Sequence, residues 1–262
     1  MVRDKAEQLQ LYRYFRDHIA QDQRSTLVNV APYISLQMFY NLPLEVPAIR
    51  PLSMYTMPAV YTATRPNEVI LNKRPIAFWD ISQILNACLR ASNEGPSLQF
   101  IDAAELYKWG RASYTDWGEF RAAIYYPYDW LQTMTFYDWV NMGIPTFVPD
   151  TPLYTYASGT NAPGELDATT WHVPPAVYPH HFSDWNDIGG RVYWWLLTDF
   201  KALPGVGGFT SAASLFLGLS DQAELWRMTG RLRQGHMERA AQATTFWRSA
   251  VFRALDVGED ED

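Results

Sequence analysis

Apolar positions along this chain switch repeatedly between helical and strand spacing. Leu9, Leu11, Tyr12, Phe15 and Ile19 recur close to every third or fourth residue, so residues 3–22 read as an amphipathic helix. Residues 25–30 (STLVNV) read as a short strand that Pro32 ends; a helix over 34–40 and a strand over 46–49 follow. From residue 68 the pattern becomes regular. A strand at 68–71 precedes Pro75, well placed as the first residue of a periodic helix over 76–91. Residues 98–101 form the next strand, and Asp102 caps a helix reaching about Trp109.

A short acidic and aromatic element at 114–121 leads into the apolar strand 123–126. Pro127-Tyr128 stops that strand; a helix over 132–142, a break at Gly143 and a second apolar strand ending near Asp150 complete the segment. The last third is helical, over 187–202, 210–218 and 221–255, with Ser220 as the expected cap of the final helix. Two stretches lack periodicity. Residues 51–66 hold three prolines and read as a linker or crossover, whereas 151–179 is too long for an ordinary connection and reads as a functional loop or insertion.

The order from residue 68 onward is β-α-β-α-β-α-β followed by helices, which predicts an α/β fold with a doubly wound parallel sheet and a helical C-terminal tail. Ligands in such sheets bind beyond the carboxyl ends of the strands. The helix after the 123–126 strand carries a lone carboxylate, Asp138, in the right region for a small polar ligand. A diphosphate is favoured by the N–H groups and positive dipole end of a helix, here the turn 130–135 with the hydroxyls of Thr133 and Thr135. Lys73 and Arg74, after the 68–71 strand, face the same crevice and can stabilise charge developing on a leaving diphosphate.

Net charge narrows the partners. At −7, with a pI near 5.2, the chain lacks the basic field that nucleic-acid binding needs. Part of the acidity lies in residues 258–262 (GEDED), read as a solvated, disordered tail. Cys88 is the single cysteine, so no disulfide forms within the chain, and its place in the apolar run 81–89 predicts a small core residue. No apolar run approaches the roughly 18 residues of a membrane span. The charged N-terminus carries no signal-peptide core, so the chain as written reads as not secreted. His180, His181, Asp184 and Asp187 cluster in sequence, but adjacent histidines on a strand point apart, and no metal is expected there. Hydrolase, kinase and dehydrogenase signatures are missing from the sequence. Aromatics reach 15%, with 11 Trp and 16 Tyr; rings that stack on sugars are available, although most serve cores.

The segment from Ala122 to Asp150 resembles the donor-binding half of GT-B glycosyltransferases. The matching residues are Pro127-Tyr128, Thr133 and Thr135, Phe136, Asp138, Met142-Gly143, and Ile144-Pro145 leading into 146–149. The pattern is most similar to exostosin-like and otherwise unclassified transferases of algae and protists. The resemblance implies a Rossmann-like GT-B C-terminal half over 65–255 and an acidic tail over 256–262. Residues 1–64 would be the remnant of an N-terminal α/β domain plus linker. It implies a UDP- or GDP-linked sugar as donor, a glycan or other acceptor, and no cofactor or metal. Donor contacts would fall to Asn72, Lys73, Arg74, Pro127, Tyr128, Thr133, Thr135, Phe136, Asp138 and Gly143. The family's ribose-binding acid is usually Glu, so Asp138 is one methylene shorter. The catalytic base would lie in the missing N-terminal domain, leaving no catalytic residue to assign here. Two other readings stay open: a non-catalytic nucleotide-sugar or carbohydrate-binding module from a truncated transferase, and a helical interaction protein with an aromatic surface. A complete chain would be cytoplasmic, whereas one lacking an N-terminal anchor would fit the Golgi lumen.

Overall fold

A computed structural model of the chain describes residues 10, 13–19, 21–22, 25–41, 45–72, 81–92, 97–110, 113–127, 134–150, 192–193 and 195–256. The chain divides into two compact units, one of Met1–Arg50, Gly164–Asp199 and Glu238–Asp262, the other of Pro51–Pro163 and Phe200–Met237. The first unit contains a π-turn at Phe15–Ile19 and helix α1, Pro32–Asn41. Pro32 suits the first helical position, where its missing N–H has no partner to lose. The strands expected at 25–30 and 46–49 contract to one parallel bridge between Asn29 and Ala48. Asn29 N donates to Pro47 O and Ile49 N donates to Asn29 O. Pro47 has no amide with which to extend that ladder. In the same unit Arg50 contacts the buried Asp199 carboxylate at 2.9 Å.

The second unit is built on five parallel strands: β1 Arg65–Asn72, β2 Gln99–Asp102, β3 Phe120–Tyr125, β4 Thr146–Pro149 and β5 Gly207–Phe209. Their order is β2-β1-β3-β4-β5. The helices are α2 Ile81–Ala91, α3 Ala103–Lys108, α4 Tyr114–Gly118, α5 Met134–Met142, the turn α6 Asp199–Ala202, of which 200–202 belong to this unit, α7 Ala212–Ser220 and α8 Gln222–Asp256, of which 222–237 belong to this unit. This is an α/β, Rossmann-like fold. The path steps one way from β1 to β2 and the other way thereafter, so right-handed crossovers put α2 on one face and α3 and α5 on the opposite face.

Strand alternation divides the core. Val69, Leu71, Phe100, Ala122, Ile124, Phe147 and Phe209 form one face with Leu85 and Leu89 of α2, Leu215 and Leu219 of α7, and Leu225 and Met228 of α8. Tyr125, on the other face of β3, packs against Phe136 and Trp139 of α5 and Phe200 of α6, with Trp117 of α4 edge-on to Trp139. On the first face, Phe147 fits between two glycines: a Cβ on Gly207 or Gly218 would come within 2.8 or 2.9 Å of its ring. Asn86 of α2 donates to Phe100 O and accepts from Phe100 N, which closes the outer edge of β2.

Two local expectations change. Cys88 is exposed, because the buried positions of α2 are Ser82, Leu85 and Leu89 and residue 88 falls off that stripe. Asp221, rather than Ser220, caps α8: Asp221 Oδ1 accepts from Glu224 N at 2.9 Å, while the Ser220 hydroxyl donates back to Phe216 O of α7. Of the helix expected over 187–202, residues 192–193 and 195–196 are helical and α6 follows at 199–202, whereas 151–191 and 194 lie outside the described residues.

Candidate functional site

The strand order reverses between β1 and β3. A sheet of this kind opens a crevice there, beyond the carboxyl ends of the two strands, because the connections leave them in opposite directions. Asn72 ends β1 directly beside Tyr125, the last residue of β3. The strand ends that lead into the two sequence segments singled out for donor contacts, 72–74 and 127–128, therefore lie side by side. Lys73, Arg74, Tyr128 and Thr133 lie outside the described residues, as do His180, His181, Asp184 and Asp187. Pro127 is buried at the exit of β3, and Thr135 is half-buried in the first turn of α5.

Phe136, Asp138 and Gly143 occupy three different settings. The Phe136 ring is fully buried in the aromatic layer, 4.8 Å from Phe200 and 5.4 Å from Tyr125 between centroids. Gly143 terminates α5 at φ +77°, a left-handed conformation that a side chain would strain. A Cβ there would also meet the Arg233 side chain at 3.2 Å.

Asp138 is only 5% exposed. Its Oδ1 accepts a hydrogen bond of 2.7 Å from the Tyr55 hydroxyl. Burial pushes the Asp138 carboxyl above its ordinary range, opposed by the hydroxyls of Tyr55, Ser53 and Tyr114. Burial, followed by the hydrogen bond to Asp138, raises the Tyr55 phenol to about 12. Asp138 is thus held as an acceptor inside the protein, with a phenol as its partner.

Tyr55 was not legible as a site residue, because residues 51–66 read only as a linker. In the fold they form an ordered cover. Asn141 of α5 donates from Nδ2 to Pro51 O at 3.0 Å, and His236 Nδ1 lies 3.0 Å from Asn141 Oδ1. At the far end, Thr62 N and Ala63 N both donate to Gly118 O. Gly118 has to be glycine, since a Cβ would stand 2.5 Å from Val60 O. Ser53 (φ +44°) and Ala63 (φ +52°) bracket the segment in left-handed conformations uncommon for residues with side chains. The sequence signal that went unread is Gly118 itself, an isolated glycine just before β3 of the kind that marks a close backbone approach.

A second polar group stands at the carboxyl end of β4. Asp150 pairs with Lys201 of α6, and Gly208 leaves room for it: a Cβ there would fall 2.6 Å from Asp150 Oδ2. Ser211 caps α7 at the end of β5, in a reciprocal capping box with Ser214. Among the described residues no three His, Cys, Asp or Glu side chains are grouped to hold a metal ion, and no helix is long and apolar enough to cross a membrane. No family model matches the chain, and none of the curated proteins or solved structures compared with it is similar to it.

Proposed function

We propose that the second unit binds the nucleotide of a sugar donor over the carboxyl ends of β1 and β3, as the donor half of a GT-B-like glycosyltransferase. The observation that supports this most is the reversal of strand order in an all-parallel sheet, with Asn72 and Tyr125, the strand ends just before the two sequence segments, side by side at the reversal. Lys73 and Arg74 contact the diphosphate, together with the amides and hydroxyls near Thr133 and Thr135 where α5 begins. Asn72, Pro127 and Tyr128 line the crevice, and Phe136 and Gly143 fix the position of α5 from behind. Asp138 accepts from the ribose hydroxyls, as an acidic residue does in dinucleotide-binding folds. During transfer an acceptor oxygen bonds to the anomeric carbon while the bond to the diphosphate breaks. The cations then stabilise the charge left on the departing nucleoside diphosphate.

Titration calorimetry with UDP, GDP and their sugars tests the reading. Replacing both Lys73 and Arg74 by Ala removes charge-assisted hydrogen bonds of ~1.5–3 kcal/mol each, so affinity falls by at least tenfold or so. Absence of heat with every nucleotide overturns the proposal. Binding that survives Asp138→Ala unchanged removes Asp138 from the ribose contact but leaves the crevice in place.

A further inference from the structure

We infer that Tyr55 is an internal competitor for the donor: its phenol occupies the Asp138 carboxylate in the empty protein and has to leave before a ribose hydroxyl can take its place. The inference rests on the nucleotide-sugar reading above and adds a control over that site. Its geometry is that of a latch. Tyr55 Oη donates to Asp138 Oδ1 at 2.7 Å, the same kind of O–H to carboxylate bond that a ribose hydroxyl would make.

The segment around Tyr55 has a fixed inner face and a free outer one. Ser53, Thr56, Ala59 and Tyr61 are buried, whereas Met54, Tyr55, Met57 and Val60 are each more than half exposed. Around the turn Met54–Thr56 the backbone bonds close on themselves, from Thr56 N to Ser53 O, Met57 N to Met54 O and Ala59 N to Thr56 O. The turn therefore keeps its shape when the phenol lets go. The Tyr55 ring is 51% exposed and leans on Tyr114 at 5.4 Å between centroids. It can rotate into solvent without opening the packed layer beneath. Ser53, immediately before the turn, is left-handed at φ +44°, and strain of this kind concentrates in segments that switch.

A bond to a charged acceptor that must break before binding lowers the apparent affinity by roughly tenfold. Calorimetric titration of UDP and GDP onto the wild type and Tyr55→Phe reads this directly. The Phe variant keeps the ring and loses only the hydroxyl, so it should bind about tenfold more tightly. Equal or weaker binding by a folded variant overturns the latch and leaves the nucleotide site standing. No binding by either protein removes the proposed function and the latch with it. A measurement on the wild type covers the case in which Tyr55→Phe does not fold. Nitration of Tyr55 by tetranitromethane should rise several-fold when saturating UDP frees the phenol from Asp138. Nitration that falls or stays constant with UDP bound overturns the inference.

Discussion

The two faces of the sheet are made by the same strands and are chemically unlike. On β3, Ala122 and Ile124 point into a mainly aliphatic layer, with Phe100, Phe147 and Phe209 among its members, closed by α2, α7 and α8, while Tyr125 points into Trp139, Phe136 and Phe200. Among the described residues the buried side chains of this layer carry no titratable group, and Tyr126 packs at its margin. Against α5, on the aromatic side, lies a buried carboxylate with a tyrosine hydroxyl upon it. Aliphatic layers are held by volume and exclude water, whereas large rings with polar tips can surround a polar group without leaving it unpaired. The side that can tolerate a carboxylate is the side that carries one.

The largest effects should come from cutting into each layer. Trp139→Ala removes a fully buried ring touching Trp117 and Tyr125 and should cost ~3–5 kcal/mol, against ~2–5 for Leu215→Ala in the other layer. Urea unfolding measures both, and a Trp139→Ala cost below 1 or so would mean that the aromatic layer is not a close-packed core. Next come the glycines. Gly118→Ala drives a methyl into the Val60 carbonyl and Gly218→Ala into the Phe147 ring, each at ~1–3 kcal/mol. Gly118→Ala should be the worse of the two, because backbone cannot move aside as a ring can. A thermal melt in which the order is reversed would show that the 51–64 cover yields more readily than the aliphatic layer.

These two regions also differ in how far the sequence revealed them. The runs EVIL at 68–71 and AIYY at 123–126 are short, apolar and bounded by prolines or polar residues, and both became parallel strands. Periodicity is enough where both sides of a strand are buried. The β-α order predicted a parallel, doubly wound sheet, but where the path reverses is set by the pairing of β1 with both β2 and β3, which the order of elements does not encode. Cys88 failed because α2 has only one buried stripe, so an apolar neighbourhood in sequence is not a buried one in space. The aromatic side was less legible. Asp138 could be picked out as a lone acid on an apolar helix, yet its partner comes from residue 55, in a segment without any period. Contacts between an aperiodic segment and a helix more than 80 residues away leave no pattern in either.

A smaller effect separates two adjacent residues at the start of α8. Asp221→Ala removes the side chain that accepts from Glu224 N and should cost about 1 kcal/mol. Ser220→Ala loses only a hydroxyl bonded back to Phe216 O, and surface changes of that kind stay within about 0.5 kcal/mol. Equal losses in denaturant would return the cap to Ser220. The pair also calibrates the sheet comparison, since both residues lie on the surface.

The finest distinction between the two faces is their response to pH. Burial raises the Asp138 carboxyl above its ordinary value, so the folded state holds that proton more tightly than the unfolded chain, whose carboxyl titrates near 3.9 or so. The proton taken up in the native state makes unfolding free energy decrease with rising pH over the interval between the two values. The contribution is complete below the unfolded value and is lost as pH rises through the folded one. Asp138→Asn keeps the shape and removes the titration. Wild type and variant should therefore diverge as pH rises above about 4, the wild type losing stability relative to the variant. Leu215→Ala in the aliphatic layer should lower both curves without changing the interval between them. Parallel pH profiles for wild type and Asp138→Asn would mean that the carboxylate is as easily ionised in the fold as out of it. The aromatic side would then differ from the aliphatic side in packing alone.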